Sequence, residues 1–354
     1  MKAVLIMIKT NNKMISSLRE FKEVFQLTKN SPRSKKQINK LFESDCEILK
    51  FNNKYFCSST DTIGEEISID LYKDPFLWGW MTVMSSISDL AASGSKPLGL
   101  LISTQWKFST KNSVKNSFYR GVNAALKAGG VDLLGGDSGY SRDHVMSSTI
   151  IGISNIKPLT RIGAKPGDYV VIVGKKKMGV GPCIAFRFLL KQKIANFPES
   201  LYRPTPSPKL IQKLCPLTRA SIDTSDGLAS SLNIISKLNK IGFKLEWHNS
   251  LIHPKALKFC IKNKIHPLML WMSDHGDFQS LIFISPKNIQ TALKTSPELV
   301  IIGRCIPQSK QYLVTYENKS IELPLDQVSN CARDARNIFN SVKKLNAYFW
   351  KMTP

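Results

Sequence analysis

Five aspartates stand where an amphipathic pattern would not put them. Asp61 ends a strand-like stretch, Tyr55–Asp61, among Ser58, Ser59, Thr60 and Thr62. Asp89 sits late in a helical pattern, within Ile87-Ser88-Asp89-Leu90-Ala91-Ala92. Asp137 follows Gly135-Gly136, and Asp223 and Asp226 flank a strand-to-helix turn in Ile222-Asp223-Thr224-Ser225-Asp226-Gly227-Leu228. A carboxylate buried alone is expensive. Several facing one another push their pKa values up unless a cation neutralises them. A fold that accepts all five must therefore bring positive charge to them. Hard oxygen ligands suit Mg²⁺, which keeps waters and takes one or two carboxylates plus phosphate oxygens. The neighbouring Ser and Thr hydroxyls can add ligands or hold waters. Taken singly, Asp226 also reads as a helix cap. Asp89 cannot, because it lies inside a helix; a solvated helix face is its plainer reading.

Acidic residues are scarce, 26 against 50 Lys and Arg, which gives a net charge of +24. Such a balance can serve nucleic acid or an anionic surface. Here the lysines are spread along the chain, and the tight runs Lys35-Lys36 and Lys175-Lys176-Lys177 are short. A basic stripe interleaved with stacking aromatics is missing, so nucleic acid is not an expected partner. Attraction for phosphorylated small molecules is the simpler use of the charge. No apolar run approaches the length of a membrane span. The apolar start Met1–Ile8 is too short for a signal-peptide core, which makes a cytoplasmic protein the expectation. Seven scattered cysteines without a Cys-x-x-Cys pair suggest buried thiols rather than disulfides or zinc ligands.

Helix and strand signals alternate. An amphipathic segment with Leu18, Phe21, Val24 and Phe25 precedes Ser31-Pro32. Asp74-Pro75 opens a helix that Gly94 and Pro97 close. Leu98–Ser103 reads as a strand and Ser113–Ala128 as a helix. Val131–Leu134 reads as a short buried strand leading into a Gly135-Gly136-Asp137 turn, whose amides could approach an anion. Val145–Ile153 is a further strand. The turn Gly163–Asp168 precedes a strand at Tyr169–Val173. A helix follows Gly181, and Ala220–Asp223 is a strand. The helix Leu228–Lys240 is stopped by Gly242, with strands at Leu281–Ile284 and Val300–Cys305 and a hairpin at Tyr312–Leu323. The class is α/β, with an α+β variant, in three parts: an N-terminal extension over 1–40, a first α/β domain over 41–155, and a second α/β domain over 156–354. No Walker A loop is present, and Lys175–Gly181 has the wrong spacing for either common nucleotide fingerprint.

Several stretches recur in one order that resembles the thiamine-monophosphate kinase family, within the aminoimidazole ribonucleotide synthetase-like superfamily. They are Ser59-Thr60-Asp61-Thr62, Ser88–Gly94, Phe118-Tyr119-Arg120-Gly121, Gly135–Ser138, Arg161–Asp168, Arg203-Pro204-Thr205-Pro206, Ile222–Leu228 and Ile302-Gly303-Arg304. The resemblance implies a two-domain fold and a homodimer whose N-terminal sheets pair. It implies transfer of the ATP γ-phosphoryl group to thiamine monophosphate, chemistry in which positioning and charge neutralisation do most of the work. Carried over by position, Asp45, Ser59, Thr60, Asp61, Asp89, Asp137, Asp223 and Asp226 are the expected Mg²⁺ ligands, with Asp61, Asp137 and Asp223 central to catalysis. Tyr119, Gly136, Asp137, Arg161 and Ser225 are the expected ATP contacts, and Ser68, Asp277 and Trp350 the expected substrate contacts.

The acceptor side departs from the family pattern. Glu43-Ser44-Asp45 stands for Gly-Asp-Asp, Ser68 for a histidine, and His275-Gly276-Asp277-Phe278-Gln279-Ser280 for a Gly-Gly-acid-Asp-Tyr-Glu motif. A paralogue acting on another acceptor, or a non-catalytic nucleotide-binding scaffold, are the alternatives. Keeping costly clustered carboxylates argues against the scaffold.

Overall fold

A computed structural model describes residues 19–174, 177–190, 196–307, 311–325 and 335–353. Met1–Ile8, Leu18, Lys175, Lys176 and Cys331 lie outside the described residues. The described residues build two sheets. The first contains β1 (Glu47–Phe51), β2 (Lys54–Thr62), β3 (Lys96–Lys107), β4 (Leu133–Ser141) and β5 (Val145–Ser154), in the order β1-β2-β5-β3-β4. Its pairs are antiparallel except β3 with β4, which is parallel. The second contains β6 (Tyr169–Val173), β7 (Thr218–Asp223), β8 (Gly242–Glu246), β9 (Ser280–Ile284), β10 (Leu299–Ile306), β11 (Tyr312–Tyr316) and β12 (Lys319–Glu322), in the order β12-β11-β8-β10-β6-β9-β7. The mixed α/β class read from the sequence holds. The expected boundary near residue 156 falls between β5 and β6.

The helix Pro75–Ser93 joins the two sheets. Asp74 caps it by accepting the Phe76 amide at 2.9 Å, Pro75 starts it, and Gly94 ends it in the left-handed region at φ 71°. These are the start and stop signals the sequence carries. From Leu77 to Ser93 every residue except Asp89 is buried, because both sides are covered. One side packs on β2, β3 and β5; another meets β7, β9 and the helix Pro208–Leu214. The neighbouring helix Asn112–Gly129 lies against it through glycines: a Cβ at Gly79 would fall 2.0 Å from the Phe118 carbonyl oxygen.

The chain just before this helix is clasped to the second half of the molecule. The buried Glu199 carboxylate accepts the backbone N–H groups of Lys73 at 3.0 Å and Asp74 at 2.8 Å, and takes Arg187 Nη2 at 2.7 Å. Arg187 in turn donates to the Leu71 carbonyl at 2.9 Å.

Several boundaries differ from expectation. Gly135-Gly136-Asp137 is not a turn, and Val131–Leu134 is not a buried strand. One strand, β4, starts at Leu133 and runs through the glycines and Asp137 to Ser141 at the edge of the first sheet, with Leu133 48% and Leu134 54% exposed; only Val131 of the expected strand, just before β4, is buried. Gly136 is needed for approach to β3, since a Cβ there would lie 1.9 Å from the Ile102 carbonyl oxygen. Lys240, at φ 56°, ends the helix Leu228–Asn239, two residues before Gly242. The strands β1 and β8 and the C-terminal helix Ala335–Met352 carried no signal that was read. Six described cysteines are free and buried, as expected. Among the described residues no helix is long and apolar enough to cross a membrane.

Candidate active site

A cleft of about 540 Å³ opens where β2, the Pro75–Ser93 helix and the end of β7 meet. Carboxylates from both sheets converge there. Oxygens of Asp45, Asp89 and Asp223 lie within 4.8 Å of one another. Asp45 precedes β1, Asp89 projects from the helix, and Asp223 is the last residue of β7. Asp61, near the end of β2, and Asp226 line the same cleft.

Serines hold these groups in place. Ser86 Oγ donates to Asp61 Oδ2 at 3.0 Å, and Ser88 Oγ to Asp223 Oδ2 at 2.7 Å. Ser59 Oγ donates to Asp89 Oδ2, and Ser225 Oγ to Asp223 Oδ1 at 2.9 Å. One turn of one helix thus fixes a carboxylate from each sheet.

The electrostatics are those of a cation site. Burial, then repulsion from Asp61, Asp223 and Asp45, pushes the Asp89 carboxyl well above the usual carboxylate range, against the Ser59 hydrogen bond. Burial and Asp45 push Asp223 up to about 7, opposed by Ser88, Ser225 and Arg161. Arg161 Nη2 reaches Asp45 Oδ1 at 2.9 Å, and its backbone N–H donates to the Glu43 carbonyl at 2.7 Å. The pairing holds the buried guanidinium firmly protonated although burial opposes its charge. One guanidinium among so many carboxylates leaves negative charge uncompensated. The hard-oxygen donors of Asp45, Asp89 and Asp223, with Asp61 beside them, fit a divalent cation such as Mg²⁺.

Of the residues singled out in the sequence, the structure brings Asp45, Ser59, Thr60, Asp61, Asp89, Arg161, Asp223, Ser225 and Asp226 to the cleft. Arg161 serves there as the counter-ion of Asp45. Asp226 does not cap the following helix, whose N-cap is Gly227. The other residues are elsewhere in this chain. Gly136 and Asp137 lie on exposed β4, separated from β2 by β5 and β3, about 14 Å at ordinary strand spacing. Tyr119 is 45% exposed on the helix Asn112–Gly129, edge-on to Trp106 and Phe118. Ser68 is exposed and donates to the Glu65 carbonyl at 2.9 Å. Asp277 turns its carboxylate away from the cleft, accepting the Gly181 amide at 2.8 Å and the Gly179 amide at the start of the helix Val180–Leu189. Burial pushes it up to about 6 against those amides, and it lines a separate cavity of about 310 Å³ with Arg203 and His253. Trp350 is 44% exposed, donates to the Lys264 carbonyl at 3.2 Å and meets His266 edge-on.

Sequence reasoning marked His275 within the altered acceptor motif but missed the aromatic cluster around it at the cleft. There Tyr72 Oη lies 3.1 Å from His275 Nε2, and both rings pack with Tyr202. Burial pushes the His275 imidazole down to about 4, so it is neutral. The serine run Ser85-Ser86-Ile87-Ser88 was the available signal for the supporting hydroxyls.

Residues 43–154 match the AIR synthase related protein N-terminal domain. The thiamine-monophosphate kinase of Prochlorococcus marinus is 26% identical over 283 residues, covering 74% of this chain and 82% of the relative. The solved structure described as AaThiL complexed with AMPPCP and TMP superposes with a TM-score of 0.67 at 22% identity, covering 85% of this chain and 93% of that one. A HypE–HypF complex superposes with a TM-score of 0.68 at 18% identity, covering 86% of this chain and 99% of that one. These superpositions establish the fold, which also serves proteins with other names. Residues 43–154 thus match the AIR synthase related protein N-terminal domain, and the resemblance to thiamine-monophosphate kinases first read from the motifs holds across most of the chain.

Proposed function

We propose that this protein phosphorylates thiamine monophosphate with ATP to give thiamine diphosphate. The observation that carries the reading is the convergence of Asp45 before β1, Asp89 of the Pro75–Ser93 helix and Asp223 at the end of β7 on one point of a cleft. Such a centre suits phosphoryl transfer, where charge on the phosphates must be neutralised and the reactants aligned. The names of the curated relatives, and the AMPPCP and TMP of one structural neighbour, give the donor and acceptor.

Asp45, Asp89 and Asp223 would hold Mg²⁺, with Asp61 and Asp226 lining the same cleft. When bound, Mg²⁺ supplies Lewis-acid neutralisation of phosphate charge. This chain's own residues orient the reaction: Ser59, Ser86, Ser88 and Ser225 fix the carboxylate rotamers, and Arg161 limits repulsion at Asp45. A homodimer belongs to the same reading. Its support is the open edge strand β4 and the exposed Leu98, Leu101, Leu133 and Leu134. We also place the enzyme in the cytoplasm, where ATP is abundant and the buried thiols stay reduced.

The second reading, a paralogue with another acceptor, draws on the HypE neighbour and on Ser68 and His275. Purified protein with ATP, Mg²⁺ and thiamine monophosphate should yield thiamine diphosphate by chromatography, and chelation should abolish it. Binding of ATP without that product would overturn the acceptor assignment and favour the paralogue.

A further inference from the structure

The buried face of the Pro75–Ser93 helix carries a polarity gradient along the cleft. Asp89, Ser85 and Met81 are spaced four residues apart and all line it. At 1.5 Å rise per residue they span about 12 Å, from the carboxylate centre through a hydroxyl to an apolar end. Leu71, Tyr72, His275 and Phe278 line the same cleft. Ser86 and Ser88 both spend their hydroxyls on aspartates, whereas Ser85 Oγ, on a side chain only 7% exposed, has no hydrogen-bond partner. An unmade hydrogen bond of this kind costs about 1–3 kcal/mol and calls for an explanation. A ligand with a phosphate at one end and a ring at the other matches the gradient, with its oxygens passing Ser85.

We propose that Ser85 is a specificity-determining residue for the acceptor, donating its hydroxyl to the acceptor's phosphate while the ring lies toward Met81, Tyr72 and Phe278. The proposal rests on the phosphorylation reading above and assigns the acceptor's place within the same cleft. His275 is a positioning residue, since it fixes the Tyr72 hydroxyl. Neutral and enclosed by aromatic rings, it presents no positive charge to a cationic heteroaromatic ring, which such faces attract.

The test uses the full chain with Mg²⁺, titrated calorimetrically with thiamine monophosphate and, separately, with a non-hydrolysable ATP analogue. Ser85→Ala should weaken thiamine monophosphate about tenfold, as expected for one hydrogen bond to a charged group, and leave the ATP analogue unchanged. Its melting temperature should hold or rise, because an unsatisfied hydroxyl has been removed; a merely structural serine would lower it. Ser85→Thr, which keeps the hydroxyl, should restore most of the affinity. Unchanged acceptor affinity in Ser85→Ala, or equal weakening of both ligands, overturns the assignment of Ser85. Failure of the unsubstituted protein to bind thiamine monophosphate while it binds the ATP analogue overturns the acceptor reading itself, and the Ser85 proposal with it.

Discussion

Replacing Asp223 by Asn should make the metal-free protein more stable while removing its capacity to be stabilised by Mg²⁺. Asp223 is 5% exposed and faces Asp45 and Asp89. Its carboxyl is pushed from 3.8 up to about 7, roughly three units, chiefly by burial and then by Asp45. At 1.36 kcal/mol per unit, keeping it ionised at pH 8 costs the folded chain about 4 kcal/mol. A raised acid adds stability below its unfolded pKa and loses it as pH rises through the folded value, so the cost is complete by pH 8. Asn removes the charge but satisfies the Ser88 and Ser225 hydroxyls less well, offsetting about 1–2 kcal/mol. The net gain is about 2 kcal/mol, or about 3 °C in melting temperature for a chain of this size. The assay is a thermal melt at pH 8 in chelator, repeated with excess Mg²⁺. The unsubstituted protein should gain stability with Mg²⁺ by mass action, and Asp223→Asn should gain little. A melting temperature for Asp223→Asn below that of the unsubstituted protein in chelator would refute the crowding argument. Equal responses to Mg²⁺ would refute the metal assignment.

Three other outcomes follow from the geometry. Glu199→Ala removes the acceptor of two backbone amides and strands Arg187, so it should destabilise the fold by about 3–5 kcal/mol in denaturant titration; a loss under 1 kcal/mol would show the clasp to be idle. Gly136→Ala forces a methyl onto the Ile102 carbonyl and should cost about 3 kcal/mol, with amide exchange accelerating first in β3 and β4. His266 and His275 are both pushed by burial down to about 4, against about 6.5 when unfolded, so stability is intact above pH 6.5 and falls between there and pH 4. His275→Asn should remove up to about 3 kcal/mol of that fall, and an unchanged pH profile in the variant would contradict it.

What could be read from the chain followed how local each signal is. The caps of the Pro75–Ser93 helix were legible because Asp74, Pro75 and Gly94 act on backbone within a residue or two of themselves. Gly135-Gly136 was misread because glycine marks a turn and a close strand approach equally well, and only pairing with β3 decides between them. Asp61, Asp89 and Asp223 were legible one by one as acids in apolar or small-residue settings, whereas Asp45 came only through the family resemblance and Asp226 also read as a cap. Asp137 shares that appearance, yet the strand order, a non-local property, separates it from β2 in this chain. The role of Ser88 could not be read at all, since its partner Asp223 lies 135 residues away. Asp277 kept a family motif's letter, but its carboxylate answers the amides of Gly179 and Gly181.

The doubly covered helix has a consequence during synthesis. Ribosomes add about 5–20 residues per second, so β7 emerges some ten seconds after the Pro75–Ser93 helix it will cover. Throughout that interval the newborn first sheet displays the apolar flank that β7, β9 and the helix Pro208–Leu214 later hide. The nascent chain is therefore at its stickiest midway through translation, and a stall in the codons between Ser93 and Asp223 should send more of it to chaperones or aggregates than a stall of equal length after Asp223.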